Sequence, residues 1–174
     1  MSGTPTPPSA PWPSAHIDAV ARLRAIAAAR PHLAYRERTV AAPFELVWSI
    51  FGDLEHAVPE FDRYVRWIRI TARDGERLAL ESGGPVPGLR MRFEAIHRPG
   101  FCVMRAFAAE VGMAASPIGP AATRIAHFEG SRFLGPVGRW LFLRTIGGEL
   151  ETVARLCEAR SEATARDAAA TGAG

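Results

Sequence analysis

Six side chains of this 174-residue chain stand where they could move a proton or hold a polar group. His127 and Glu129 are two apart in Thr123–Phe133, a segment that reads as a strand, so they share one face of it. An imidazole beside a carboxylate on an inward face could orient a ligand or act as general acid and base. Arg92 and Glu94 share a face in the same way within Leu89–His97. The alternative for both pairs is a cross-strand salt-bridge set on the outer face, worth ~1 kcal/mol or less. Leu89, Met91 and Phe93 already supply a core face, which favours the outer reading for Arg92 and Glu94. Ile125 shares the face of His127 and implies burial there. Arg105 shares a face with Phe101, Val103 and Phe107. A buried arginine needs partners, so Arg105 is a cavity group or that strand is misread. Tyr64 adds a phenol at the start of another strand.

The residue inventory narrows the chemistry further. The chain has no lysine, asparagine or glutamine. That removes the P-loop, the Schiff base, the Ser-Lys pair and any side-chain amide in an oxyanion hole. No G-x-S-x-G occurs, and Ser131 in Glu129-Gly130-Ser131-Arg132 lacks the context of a nucleophile elbow. Cys102 and Cys157 are far apart and match no metal-ligand spacing, so they read as buried free thiols of a cytoplasmic protein. No metal and no cofactor is expected. The formal charge is +3 with all 21 basic residues arginine. These are spread along the chain rather than clustered, which argues against nucleic acid. No window holds the ~18 apolar residues of a membrane span, and no secretory leader pattern opens the chain.

Val40–Ile70 is the stretch that positions these groups. Arg36–Val40 suits an edge strand. Ala42-Pro43 fixes an extended residue and then the first position of a helix. Glu45 complements the helix dipole. Phe44, Val47, Trp48 and Phe51 make one apolar face, and Gly52-Asp53 stops the helix with a left-handed glycine. Leu54–Glu60 is at most a short second helix closed by Pro59. Tyr64–Thr71 alternates as a strand.

The phrase V-x-A-P-x-E-x-V-W-x-x-x-x-D, carried by Val40, Ala42, Pro43, Glu45, Val47, Trp48 and Asp53, resembles the START-like superfamily, also called SRPBCC. Polyketide cyclases and dehydrases, lipid carriers and pollen-type allergens belong to it. The resemblance spans roughly Tyr35–Ala159. It implies an α+β helix-grip fold: a curved antiparallel sheet around a long C-terminal helix, with a cavity between them. Polyketide cyclases of the superfamily hold and enolise substrate with cavity Arg, Tyr and Ser groups. Tyr64 and Arg105 resemble such groups, but no local motif matches, so no catalytic role is carried over.

The remaining elements fit that plan. Met1–Ser14 is a Pro-rich tail expected to be disordered. Residues 15–31 read as an extra amphipathic helix ended by Pro31, which packs on the domain, mediates contact with a partner or a second copy, or simply frays. Asp74-Gly75 marks a hairpin, Arg77–Ser82 a third strand, and Gly83–Gly88 a loop. Leu89–His97, Phe101–Ala108, Glu110–Ser116 and Thr123–Phe133 follow as strands, two of them blurred by alanine. Gly135–Ala159 has helical spacing over about 36 Å. Gly147-Gly148 sit in its middle, for close packing, a kink, or room for a ligand. The START-like domain is placed at 35–160 and a disordered tail at 161–174. Trp48, Phe51, Trp67, Met91, Phe93, Met104, Trp140 and Gly147 are the candidate ligand-lining positions. The leading expectation is a carrier or sensor for a small hydrophobic molecule such as a lipid, isoprenoid or polyketide. A cyclase or dehydratase using His127, Glu94 or Tyr64 is the second, and a protein-interaction module the third.

Overall fold

The computed structural model describes residues 17–171, so the Pro-rich Met1–Ser14 lies outside them. The order is α1 (Ala19–Ala28), β1 (Leu33–Val40), α2 (Phe44–Phe51), α3 (Val58–Phe61), β2 (Trp67–Asp74), β3 (Arg77–Gly83), β4 (Arg90–Arg98), β5 (Phe101–Arg105), β6 (Glu110–Gly119), β7 (Ala122–Gly130) and α4 (Gly135–Thr171). The seven strands form one antiparallel sheet in the order β1-β7-β6-β5-β4-β3-β2. β1 and β2 are its two edges, so the sheet is open rather than closed. Grouped strands and a long final helix give the α+β helix-grip architecture the sequence implies.

Two apolar layers sandwich part of the sheet. The inner core joins Val47, Ile50 and Phe51 of α2 and Ile146, Leu150 and Val153 of α4 to the concave face. The outer core lies under α1, where Val20 and Leu23 meet Phe101, Ala114, Ala126 and Phe128. The start of α1 is pinned to β6. Asp18 caps it by accepting the Ala21 N–H at 2.9 Å, Ser116 Oγ donates to Asp18, and the Val20 N–H donates to Ser116 Oγ. Such a cap is worth ~1 kcal/mol. The apolar face of α1 is therefore spent on its own sheet.

Several local expectations change. Gly52 follows α2 with φ −96°, so it is not left-handed. A Cβ there would stand 2.4 Å from the Trp48 ring, and glycine is needed for that approach instead. Pro43 is the N-cap, one residue before the helix. Pro59 lies in the first turn of α3 and opens it rather than closing it, because a proline lacks only a donor that the first turn leaves unpaired anyway. Gly75, at φ +56°, makes the β2–β3 hairpin as expected. In α4 the fully buried inner stripe begins at Thr145 and Ile146, preceded by half-buried Phe142 and Leu143, while Val137, Trp140 and Leu141 are exposed. The helix runs unbroken across Gly147-Gly148 and on past Ser161 to Thr171. A Cβ on Gly148 would meet nothing within 4 Å, and one on Gly147 only the Arg36 side chain at 3.8 Å, so close packing does not demand either glycine. No helix among the described residues is long and apolar enough to cross a membrane.

Candidate functional site

Between the concave face, α3 and the start of α4 lies a cavity of about 510 Å³. Its walls are mostly apolar: Ile68 of β2, Leu80 of β3, Phe93 of β4, Met104 of β5, Met113 of β6 and Phe142 of α4. One part of the wall is ionisable, where His127 and Glu129 of β7 and Asp62 after α3 face the space. The alternation of β7 explains this. Ile125, His127 and Glu129 face inward, while Ala126 and Phe128 face α1.

α4 supplies a third group. Glu149 Oε2 stands 3.3 Å from His127 Nε2, and Glu129 Oε1 stands 3.5 Å from the same nitrogen. His127, Glu129 and Glu149 are 3%, 7% and 3% exposed. None of these approaches is aligned as a hydrogen bond. Both His127 nitrogens, Glu129 Oε2 and both Glu149 oxygens lack a hydrogen-bond partner among the described residues. Burial disfavours the imidazolium, but the two carboxylates outweigh it and hold His127 up at about 10. Burial also pushes Glu129 above the usual carboxylate range, against the pull of His127. Phe51 packs on His127 edge-on, with ring centroids 6.1 Å apart.

Asp62 is the fourth acid of this region. Burial, then the charges of Glu129 and Glu149, push its carboxyl up to about 7, against the Tyr64 N–H and His127. A folded-state value above the ordinary 3.8 means the proton favours the folded form. Asp62 therefore erodes stability as pH rises from 3.8 to about 7, and the penalty is complete above that. Asp62→Asn keeps an oxygen for the Tyr64 N–H, which Asp62 Oδ1 accepts at 2.8 Å. The variant is expected to match the parent near pH 4. At pH 8 it is expected to gain on the order of 1 kcal/mol, about 2–4 °C in Tm. Thermal unfolding at the two pH values checks this.

The other sequence-derived candidates divide sharply. Tyr64, Met91, Phe93, Met104 and His127 line the cavity. Phe51 is core beneath it, and Trp48 stacks on His97 at 5.7 Å. The Trp67 indole lies against Gly83, and Trp140 is exposed with Arg144 over its ring. Gly147 touches Arg36 rather than the cavity. Glu94, favoured for the outer face but kept as a candidate acid, and Arg105, read as a cavity group or a misread strand, both lie away from the cavity. Both line a shallow depression on the outer face with Glu81 and Arg92. Arg105 shares the outward register of Phe101 and Val103, which pack under α1, and its exposed guanidinium reaches Glu110 at 3.7 Å. Arg92 pairs with Glu81 at 2.9 Å across the strands, as the outer-face reading has it. Glu149 and Asp62 were not among the sequence candidates. The only signal for Glu149 was a carboxylate in register with the α4 stripe, one residue before Leu150.

The open curved sheet, the gripped helix and the space between them make up a helix-grip fold, the architecture of START-like structures. Solved structures that share it include three with low sequence identity. One is a protein from Thermus thermophilus, 18% identical with TM-score 0.56, covering 74% of this chain and 99% of that one. Another is the Zhui aromatase/cyclase of a Streptomyces species, 16% identical with TM-score 0.56, covering 75% and 96%. A third is a START superfamily protein from Mycobacterium smegmatis, 23% identical with TM-score 0.50, covering 76% and 99%. No sequence-family model matches the chain, and no curated protein matches it in sequence.

Proposed function

We propose that the chain binds a small hydrophobic molecule, of lipid, isoprenoid or polyketide type, in the internal cavity and acts as its carrier or sensor. The observation that carries this reading is the cavity of about 510 Å³, within the range of small-molecule sites. Its wall is apolar apart from a few convergent polar groups, the usual make-up of such sites. Exposed Val86, Leu89, Phe133 and Leu134 belong to the same lining and give the space an apolar mouth. Native mass spectrometry with extraction of the bound material tests the reading directly. A neutral fluorescent naphthylamine gives a second readout. Leu80→Trp with Met113→Trp, both inward and buried, is expected to lower its affinity at least about tenfold, the equivalent of ~1.4 kcal/mol. Circular dichroism would show the fold retained. Unchanged affinity in a folded double variant would sink the cavity as the binding site.

A second reading is an enzyme of cyclase or dehydratase type. The specific observation in its favour is that His127 and Glu129 face the same space as Tyr64. A buried imidazole between carboxylates is a common way to poise a proton for transfer. The likeness to an aromatase/cyclase structure supports it at the level of fold. Turnover of a linear poly-β-ketone by the purified chain, lost in His127→Ala, is the expected result under this reading.

A further inference from the structure

We propose that His127, Glu129 and Glu149 form a binding site for one divalent transition-metal cation in the wall of the cavity. Their donor atoms lie within 4.8 Å of one another. A tetrahedral ion with nitrogen and oxygen ligands at about 2.0–2.2 Å sets its donors roughly 3.3–3.5 Å apart. His127 Nε2 stands 3.3 Å and 3.5 Å from the two carboxylates. Two of the ligands are i and i+2 on β7, which is paired on both sides. The third is on α4, packed against that strand.

The independent observation is the lack of protein hydrogen bonds to these atoms. Buried polar atoms are normally hydrogen-bonded, and each exception needs a reason. Among the described residues, the orphaned side-chain atoms are those of this triad and His32 Nε2. The one other buried acid among the described residues, Glu110, is provided for by Arg30 and Arg105. A chain with 21 arginines brings none of them to Glu129 or Glu149. Two carboxylates and a neutral imidazole around a divalent ion sum to no net charge, which suits a site cut off from water.

One nitrogen and two carboxylate oxygens favour Zn²⁺, Mn²⁺, Fe²⁺ or Co²⁺ over Ca²⁺ or Mg²⁺, which seek all-oxygen sets. Three protein ligands leave a position open. Because His127 and Glu129 line the cavity, a hydroxyl or carbonyl oxygen of the hydrophobic occupant would complete the sphere.

The test uses full-length protein stripped with EDTA and titrated with Co²⁺, whose visible absorption reports its coordination. One equivalent is expected to bind, with a four- or five-coordinate spectrum and a raised Tm, and Zn²⁺ should displace it. Glu149→Gln and, separately, Glu129→Gln are near-isosteric, and a folded variant of either should lose about tenfold or more in Co²⁺ affinity. Cys102→Ala with Cys157→Ala should leave the spectrum unchanged. Absence of stoichiometric binding overturns the proposal. So does a spectrum that survives both glutamine variants or follows the cysteines. Probe binding by the stripped protein is read separately, so failure of the metal site and failure of the cavity reading are told apart.

Discussion

His127→Leu is expected to destabilise the metal-free protein by ~3–5 kcal/mol, the loss typical of removing one partner from a buried ionic set. Among the described residues the imidazole is the only basic group against Glu129 and Glu149. Its folded-state value of about 10 lies above the ordinary 6.5, so its stabilising charge is complete below 6.5 and is lost as pH rises through about 10. Leucine leaves two carboxylates close together with little exposure to water. They must then take up protons or admit solvent. Urea unfolding at pH 7 measures the loss. The matching triple variant, with Leu at 127 and Met at 129 and 149, should recover most of it, because replacing a whole buried ionic set with apolar groups is often neutral or stabilising. A single variant as stable as the parent would mean that the triad is hydrated and open.

Gly112→Val is expected to be nearly as damaging by a different route. A Cβ at Gly112 would stand 2.4 Å from the Phe128 ring and 2.8 Å from Leu23 Cδ1. Both neighbours are fully buried, so neither can yield into solvent. Overpacking of this kind costs about 1–3 kcal/mol and occasionally more. At the upper end that is roughly 6–12 °C in Tm for a chain of this size. The strain falls on the contact between α1 and the sheet, so protease cleavage near α1 should speed up while probe binding on the other face is kept. Gly148→Ala is the control. With nothing within 4 Å of its Cβ, it should instead gain up to about 1 kcal/mol.

The fold was legible because Val40–Asp53 combines cap, apolar helical face and breaker in a short span, and because Asp74-Gly75 and the alternation of Leu89–His97 punctuate the sheet. β6 and β7 were harder to read for a physical reason. Gly112, Ala114 and Ala126 lie where α1 packs down on the sheet, so both faces of these strands are buried and alternation has nothing to distinguish. The same layer misled the reading of Arg105, whose apolar neighbours Phe101 and Val103 belong to the outer core. Half of the ionisable site was visible, since His127 and Glu129 are on one strand. Glu149 was not, because its approach is made by tertiary packing of α4 on β7, and a lone carboxylate on a helix reads as solvated surface.

α1 packs on β1, β5, β6 and β7, and α4 grips β1 and β7. Among the described residues no helix covers the outer side of β2–β4, and the second half of β2, Thr71–Asp74, is exposed on both faces. The molecule is therefore mechanically two-sided: a clamped half that holds the ionisable groups, and a leaf of three strands braced on one side only. Local opening free energy follows the density of such bracing. Backbone amide deuteration should run fastest in β2 and in the outward turns of β3 and β4, and slowest in β7. The apolar mouth has Val86 and Leu89 on the β3–β4 loop of that leaf and Phe133 and Leu134 after β7, so an occupant enters where the leaf can yield, with β7 and its acids as the fixed frame.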